Sequence, residues 1–173
     1  MVQGSVFNYA GLPTAARPLI LENRHISEAT RSKLTKYVHS DLIPSSMQVT
    51  KLSTIHHTKM KYSRETTLVQ EIENKVLDPY FAPLMVDTLD NVTDAYIVTA
   101  QHDILRDDGI FYYSRIINSA NVKCYLKNYR AGFHTFFHFV QGPLQLQAAR
   151  NAVDDLIDFI QQHVLEDKPW TSN

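Results

Sequence analysis

Cysteine is almost absent from this chain, with Cys124 alone among 173 residues, and glycine is scarce at five. A single cysteine excludes an internal disulfide framework and a multi-cysteine zinc site. It lies in a predicted buried strand, where packing rather than reactivity is its expected role. No apolar run approaches the roughly 18 residues needed to cross a bilayer, and Met1-Val2-Gln3-Gly4 is not the basic start of a secretory signal. A dominant charge is missing too. Seventeen Lys and Arg against eighteen Asp and Glu leave a net charge of -1, with a pI near 6.7. That balance gives no electrostatic case for nucleic acid or an anionic membrane, and it favours a polar or uncharged partner. What remains, 44% hydrophobic and 20% charged, is a globular composition in a length that makes one domain.

The most informative stretch runs from Ala95 to Gly109. The β-branched, apolar run Tyr96-Ile97-Val98-Thr99-Ala100 predicts a buried strand, and Asp103, Asp107, Asp108 and Gly109 follow where a turn and helix should begin. Asp103 is the first acidic residue off the strand. In open α/β sheets the carboxyl ends of the strands are where ligands bind. A second apolar run, Val122 to Tyr129, leads into Ala131-Gly132-Phe133-His134, so a neighbouring strand end delivers a histidine. Asp107 or Asp108 can cap the helix after the first strand, with Arg106 paired to one of them.

These segments, His102-Asp103-Ile104-Leu105-Arg106-Asp107-Asp108-Gly109 and Ala131-Gly132-Phe133-His134, closely resemble the carboxyl-terminal part of the hormone-sensitive-lipase and arylacetamide-deacetylase group of α/β-hydrolases. Asp78-Pro79-Tyr80-Phe81-Ala82-Pro83-Leu84 is similar to the short S-P-L segment that precedes the acid-bearing strand in that group, with Phe81-Ala82 replacing a small polar residue. The resemblance implies an α/β fold made of parallel strands flanked by helices. It also implies that Asp103 stands in the place of the catalytic acid and His134 in that of the catalytic base. The implied substrate is a small apolar ester or lipid, and neither a cofactor nor a metal is expected.

The nucleophile of such enzymes sits in a G-x-S-x-G elbow, their oxyanion hole draws on an H-G-G-G type loop, and the chain order is Ser, Asp, His. Neither motif occurs in these 173 residues, and Gly4-Ser5-Val6-Phe7-Asn8 lacks the second glycine. The expectation is therefore the back half of a serine esterase, with the central strands of the sheet missing and no activity on its own. The alternative is a non-catalytic relative that binds an apolar ligand or a protein partner. Exposed apolar surface on such a portion would favour self-association.

The rest of the chain reads as support. Residues 1-78 are expected to form a connecting, lid-like helical segment, 79-166 the hydrolase portion, and 167-173 a tail. Phe7, Tyr9 and Leu12 either flank an acyl pocket or simply pack on the sheet. Ser27 should cap a helix over about 28 to 40, in which Thr30 takes the third position. Met47 to Ser63 is polar and basic and reads as a surface insertion. Its adjacent His56 and His57 diverge and make a poor metal site, and His134 and His138, four apart, lack the glutamate a zinc helix would carry. Glu65 to Leu77 predicts a helix with Leu68, Ile72 and Val76 on one face. The last predicted helix carries Ala149, Val153, Leu156, Ile157, Ile160 and Val164 as one stripe.

Asn91-Val92-Thr93 is an acceptor sequence for N-linked glycosylation, meaningful only in a lumenal protein. The resemblance implies attachment to the endoplasmic reticulum membrane, on the lumenal side, through an amino-terminal anchor that this chain does not contain.

Overall fold

The computed structural model describes residues 11-22, 24-48, 67-118 and 122-166. The expectations for Phe7 and Tyr9, for His56 and His57 with the basic stretch around them, and for the tail 167-173 lie outside the described residues. The chain divides into two compact units, residues 1-87 and 88-173.

The first unit is helical where it is described. It holds helices α1 (Ala16-Leu21), α2 (Glu28-Leu34) and α3 (Thr67-Val76), with short 3-10 turns at Ser40-Leu42 and Ser45-Met47 after α2 and at Pro83-Met85 after α3. Ser27 caps α2 as its sequence predicts, its hydroxyl accepting the Thr30 N-H at 3.2 Å. The Glu73 carboxylate on α3 accepts the Ser27 N-H, so two helices share one cap. The predicted helix over 28 to 40 stops at Leu34. Thr35 turns its hydroxyl back onto the Arg31 carbonyl at 3.2 Å, and Tyr37 and Val38 are poor helix formers. On α3 the buried face centres on Val69 and Ile72, which with Ala16, Ile26 and Tyr37 supply the apolar interior of this unit.

The second unit is one β-α-β turn of a parallel sheet with a helix on each face. Strand β1 (Ala95-His102) pairs in parallel with β2 (Cys124-Phe133), and α4 (Arg106-Ile117) makes the crossover between them. Alternation along β1 sorts its side chains. Ile97 and Thr99 face α4, where an added Cβ on Gly109 would lie 2.7 Å from Thr99 Cγ2 and 3.6 Å from Ile97 Cγ2. Glycine at that place lets helix and strand approach closely. On the opposite face Tyr96, Val98 and Ala100 meet α5 (Gln147-Ile160), with Tyr96, Tyr125 and Phe159 forming an aromatic cluster and Ala100, Tyr129, Phe136, Ala149 and Ala152 a buried core.

The stripe predicted on α5 is only partly covered. Ala149 is buried, but Ile157 is 47% exposed, Ile160 41% and Val164, in the π-turn Gln161-Leu165 that follows, 64%. Ala152 and Phe159, outside the predicted stripe, meet the sheet instead, Ala152 in the core and Phe159 against Tyr96 and Tyr125. No helix among the described residues is long and apolar enough to cross a membrane.

Candidate active site

Asp103 leaves β1 in a tight turn. Its Oδ1 accepts the Leu105 N-H at 2.9 Å, and its carbonyl accepts the Arg106 N-H at 3.2 Å, which starts α4 directly. The cap position therefore falls on Leu105, and no side chain caps the helix. Asp107 and Asp108, expected as possible caps, instead occupy the first turn, where negative charge faces the positive end of the helix dipole. Arg106 is buried, 5% exposed, and its guanidinium donates to Asp107 Oδ1 at 2.6 Å. Burial first, and the neighbouring Asp107 second, hold the Asp108 carboxyl above the ordinary carboxylate range.

His134 arrives by a longer route. β1 and β2 run in step from Ala95 opposite Cys124 to Ala100 opposite Tyr129, and then His102 pairs with Phe133. Two residues of β1 are thus matched by four of β2, a bulge that bends the strand beside the site. Gly132 makes the bend possible: a Cβ there would lie 2.9 Å from Ala100 Cβ and 3.2 Å from the Tyr129 carbonyl. Beneath the turn, Thr99 donates to Asn128 at 3.0 Å and Asn128 donates to Gln101 at 3.0 Å, tying the two strands together.

The two residues singled out in the sequence meet. His134 Nδ1 lies 3.1 Å from Asp103 Oδ1 and 3.2 Å from Oδ2. The carboxylate is largely covered, at 18% side-chain exposure, while the imidazole is 47% exposed. An ionised Asp103 accepts a hydrogen bond from Nδ1-H, which leaves Nε2 as the nitrogen with a free lone pair.

Thr135, which composition and spacing did not single out, holds this geometry. Its φ of 65° lies in the left-handed region, uncommon for a β-branched residue, and its hydroxyl donates to the His134 carbonyl at 2.6 Å. The chain reverses there. Phe136 then enters the core against Tyr129, with ring centroids 5.6 Å apart, and the backbone of His134 is fixed from both sides. Ile104 and Leu105, next to Asp103, and Phe133, next to His134, present exposed apolar surface beside the pair.

Other polar features lie elsewhere. A cavity of about 180 Å³ lined by Tyr96, Tyr125, Lys127, Asp155 and Phe159 opens toward the amino-terminal end of the strands, away from Asp103 and His134. Cys124 begins β2 half-buried, and its thiol is pushed up to about 11, first by burial and then by Asp94, so the reactive thiolate is disfavoured at neutral pH. Among the described residues no three His, Cys, Asp or Glu side chains cluster as a metal ion would require.

Comparison with known proteins agrees with this architecture. The family profile described as an alpha/beta hydrolase fold matches residues 37-138. Neutral cholesterol ester hydrolase 1 of Bos taurus is 31% identical over 122 residues, 69% of this chain and 29% of that protein. Arylacetamide deacetylase of Bos taurus is 30% identical over 138 residues, 78% of this chain and 33% of its own length. An arylesterase of Saccharolobus solfataricus is 26% identical over 105 residues, 61% of this chain and 34% of that protein. The chain spans about three-tenths of the length of the curated relatives it matches. With a matched profile, ester-hydrolase relatives and a parallel β-α-β unit in place, the chain belongs to the α/β-hydrolase fold family, in its hormone-sensitive-lipase and arylacetamide-deacetylase group.

Proposed function

We propose that this chain carries the acid and base of a serine carboxylic ester hydrolase, with Asp103 as the acid and His134 as the base, and that the nucleophile and oxyanion donors come from sequence outside these 173 residues. The observation that carries the reading is the 3.1 Å contact between His134 Nδ1 and Asp103 at the carboxyl ends of two parallel strands. In the reaction a serine hydroxyl attacks the ester carbonyl while His134 Nε2 takes its proton. The same nitrogen then protonates the leaving alcohol. Water deacylates the serine by the same proton relay, and Asp103 holds the Nδ1-H tautomer and stabilises the imidazolium throughout. The apolar side chains of Ile104, Leu105 and Phe133 beside the pair suit an apolar ester.

Electrostatic stabilisation of the oxyanion is usually the largest catalytic contribution, and no elbow or H-G-G-G loop occurs in this sequence. The chain alone should therefore leave aryl esters untouched. Joined to an elbow-bearing segment from its own upstream sequence or from a relative, it should hydrolyse them, and His134→Ala should abolish that turnover. Hydrolysis by the 173-residue chain itself, blocked by a serine-directed phosphonate and lost in His134→Ala, would overturn the division of labour. Apolar-ligand binding without turnover in the joined protein would favour the non-catalytic alternative.

A further inference from the structure

Asn91-Val92-Thr93 is the single Asn-x-Ser/Thr triplet in the chain, and nothing in the acid-base site uses it. The structure puts it in a turn just ahead of β1. Asn91 is exposed with φ of 63°, the left-handed region in which asparagine is several-fold enriched. The turn is built from Val92 N-H to the Leu89 carbonyl at 3.4 Å and from Asp90 N-H to the Thr88 hydroxyl at 3.0 Å. Thr93 is exposed as well. Leu89, by contrast, is buried at 6% exposure and anchors the turn, so the acceptor amide projects from a fixed base.

Placement along the strand matters as much as exposure. Asn91 precedes the amino end of β1, whereas Asp103 follows its carboxyl end, and an eight-residue strand spans about 25 Å at roughly 3.3 Å per residue. A bulky, hydrated group at Asn91 therefore leaves the Asp103-His134 end of the sheet open.

We propose that Asn91 carries an N-linked glycan. The amide nitrogen Nδ2 displaces the diphosphate from the anomeric carbon of a lipid-diphosphate-linked oligosaccharide. One C-N bond forms, one C-O bond breaks, the nitrogen gives up one proton, and the lipid diphosphate departs. This inference is independent of the catalytic assignment: a chain inactive for any reason would still be glycosylated, and an active one could lack the glycan.

Two experiments test it. The protein isolated from its own cells, treated with an amide-cleaving glycosidase in heavy-oxygen water, should yield a tryptic peptide 76-106 with labelled aspartate at position 91. Recovery of that peptide only with unmodified asparagine would overturn the proposal. In parallel, the full chain behind a cleavable signal peptide is translated with microsomes, and only signal-cleaved product, which has entered the lumen, is read. It should run as one glycosidase-sensitive band, retained in Thr93→Ser and lost in Thr93→Ala and Asn91→Asp. Aspartate is chosen over glutamine because it tolerates the left-handed backbone, so loss of the band reports the acceptor rather than misfolding. A signal-cleaved but unglycosylated parent chain overturns the proposal equally.

Discussion

His134 Nδ1 sits almost equally close to both oxygens of Asp103, 3.1 and 3.2 Å, and Oδ1 is at the same time held at 2.9 Å by the Leu105 N-H. The carboxylate is thus anchored by the backbone of its own turn before it meets the imidazole. An anchored acid orients its partner instead of following it.

From this anchoring follows a contrast among three aspartates. In the protein joined to its nucleophile, Asp103→Asn leaves the shape but favours the wrong tautomer, a change that costs about ten-thousand-fold in triad enzymes, and His134→Ala should be at least as damaging. Asp107→Asn removes one charged partner of the buried Arg106 and should cost on the order of 1 kcal/mol of stability while turnover stays within a few-fold. Steady-state kinetics on the set would decide. Loss of turnover in a folded Asp107→Asn with Asp103→Asn still active would move the acid to the later carboxylate.

Two carboxylates should respond to pH with opposite sign. Burial, reinforced by Asp107, raises Asp108 above its ordinary 3.8, so the folded state keeps a proton that the unfolded chain has released. Stability is lost as pH rises through that window. Asp108→Asn should therefore gain stability relative to the parent as pH rises from acid to neutral. That trend is set against the favourable charge lost at the amino end of α4. For Glu73, burial pushes upward, but hydrogen bonds from the Ser27 backbone and hydroxyl and from Thr30 outweigh it, and the carboxyl lies below its ordinary 4.5. Its contribution is present above 4.5 and lost as pH falls through the lowered value. Glu73→Gln should be less stable at neutral pH, and the gap should close in acid. Urea midpoints across a pH series measure both, and the same sign for the two variants would refute the reading.

Gly109 gives a packing prediction in which two effects compete. Alanine favours a helix interior by about 1 kcal/mol over glycine, yet its Cβ would lie 2.7 Å from Thr99 Cγ2. Overpacking at that distance costs about 1 to 3 kcal/mol, so Gly109→Ala should be destabilising on balance. Adding Thr99→Ser removes the clashing methyl while keeping a hydroxyl for Asn128, and should recover most of the loss. A stabilised Gly109→Ala single variant would show that α4 moves aside freely.

Much of the second unit was legible in residue order because its signals are local. The β-branched run gives β1, the acidic turn and Gly109 give the start of α4, and a strand-end aspartate and histidine could be paired through their surrounding pattern. What stayed hidden depends on partners distant in sequence. β2 was expected to end near Tyr129 but continues to Phe133, because its bulge is defined by pairing with β1 and has no signature in β2 alone. Thr135 by propensity belongs in an extended segment, and only the buried Phe136 and the hydroxyl contact with the His134 carbonyl hold it left-handed. The α5 stripe is legible only in part: the face that meets the sheet is Ala149, Ala152 and Phe159, while Ile157 and Ile160 turn outward, because which side of an apolar helix docks is set by the strands it meets.

The bulge in β2 makes the site a vernier. Two strands that leave their first residues level arrive with a surplus of two on one side, and the reach from Asp103 to His134 is set by that difference rather than by the length of either strand. An even surplus returns the alternation of side chains to its original phase, so Phe133 again faces as its partner register demands. Removing a single residue from Arg130 to Gly132 would turn His134 toward the opposite face of the sheet and draw it back by about 3.3 Å. Lengthening both strands together would leave the pair untouched, so the spacing of acid and base is insulated from changes in the size of the sheet that carries them.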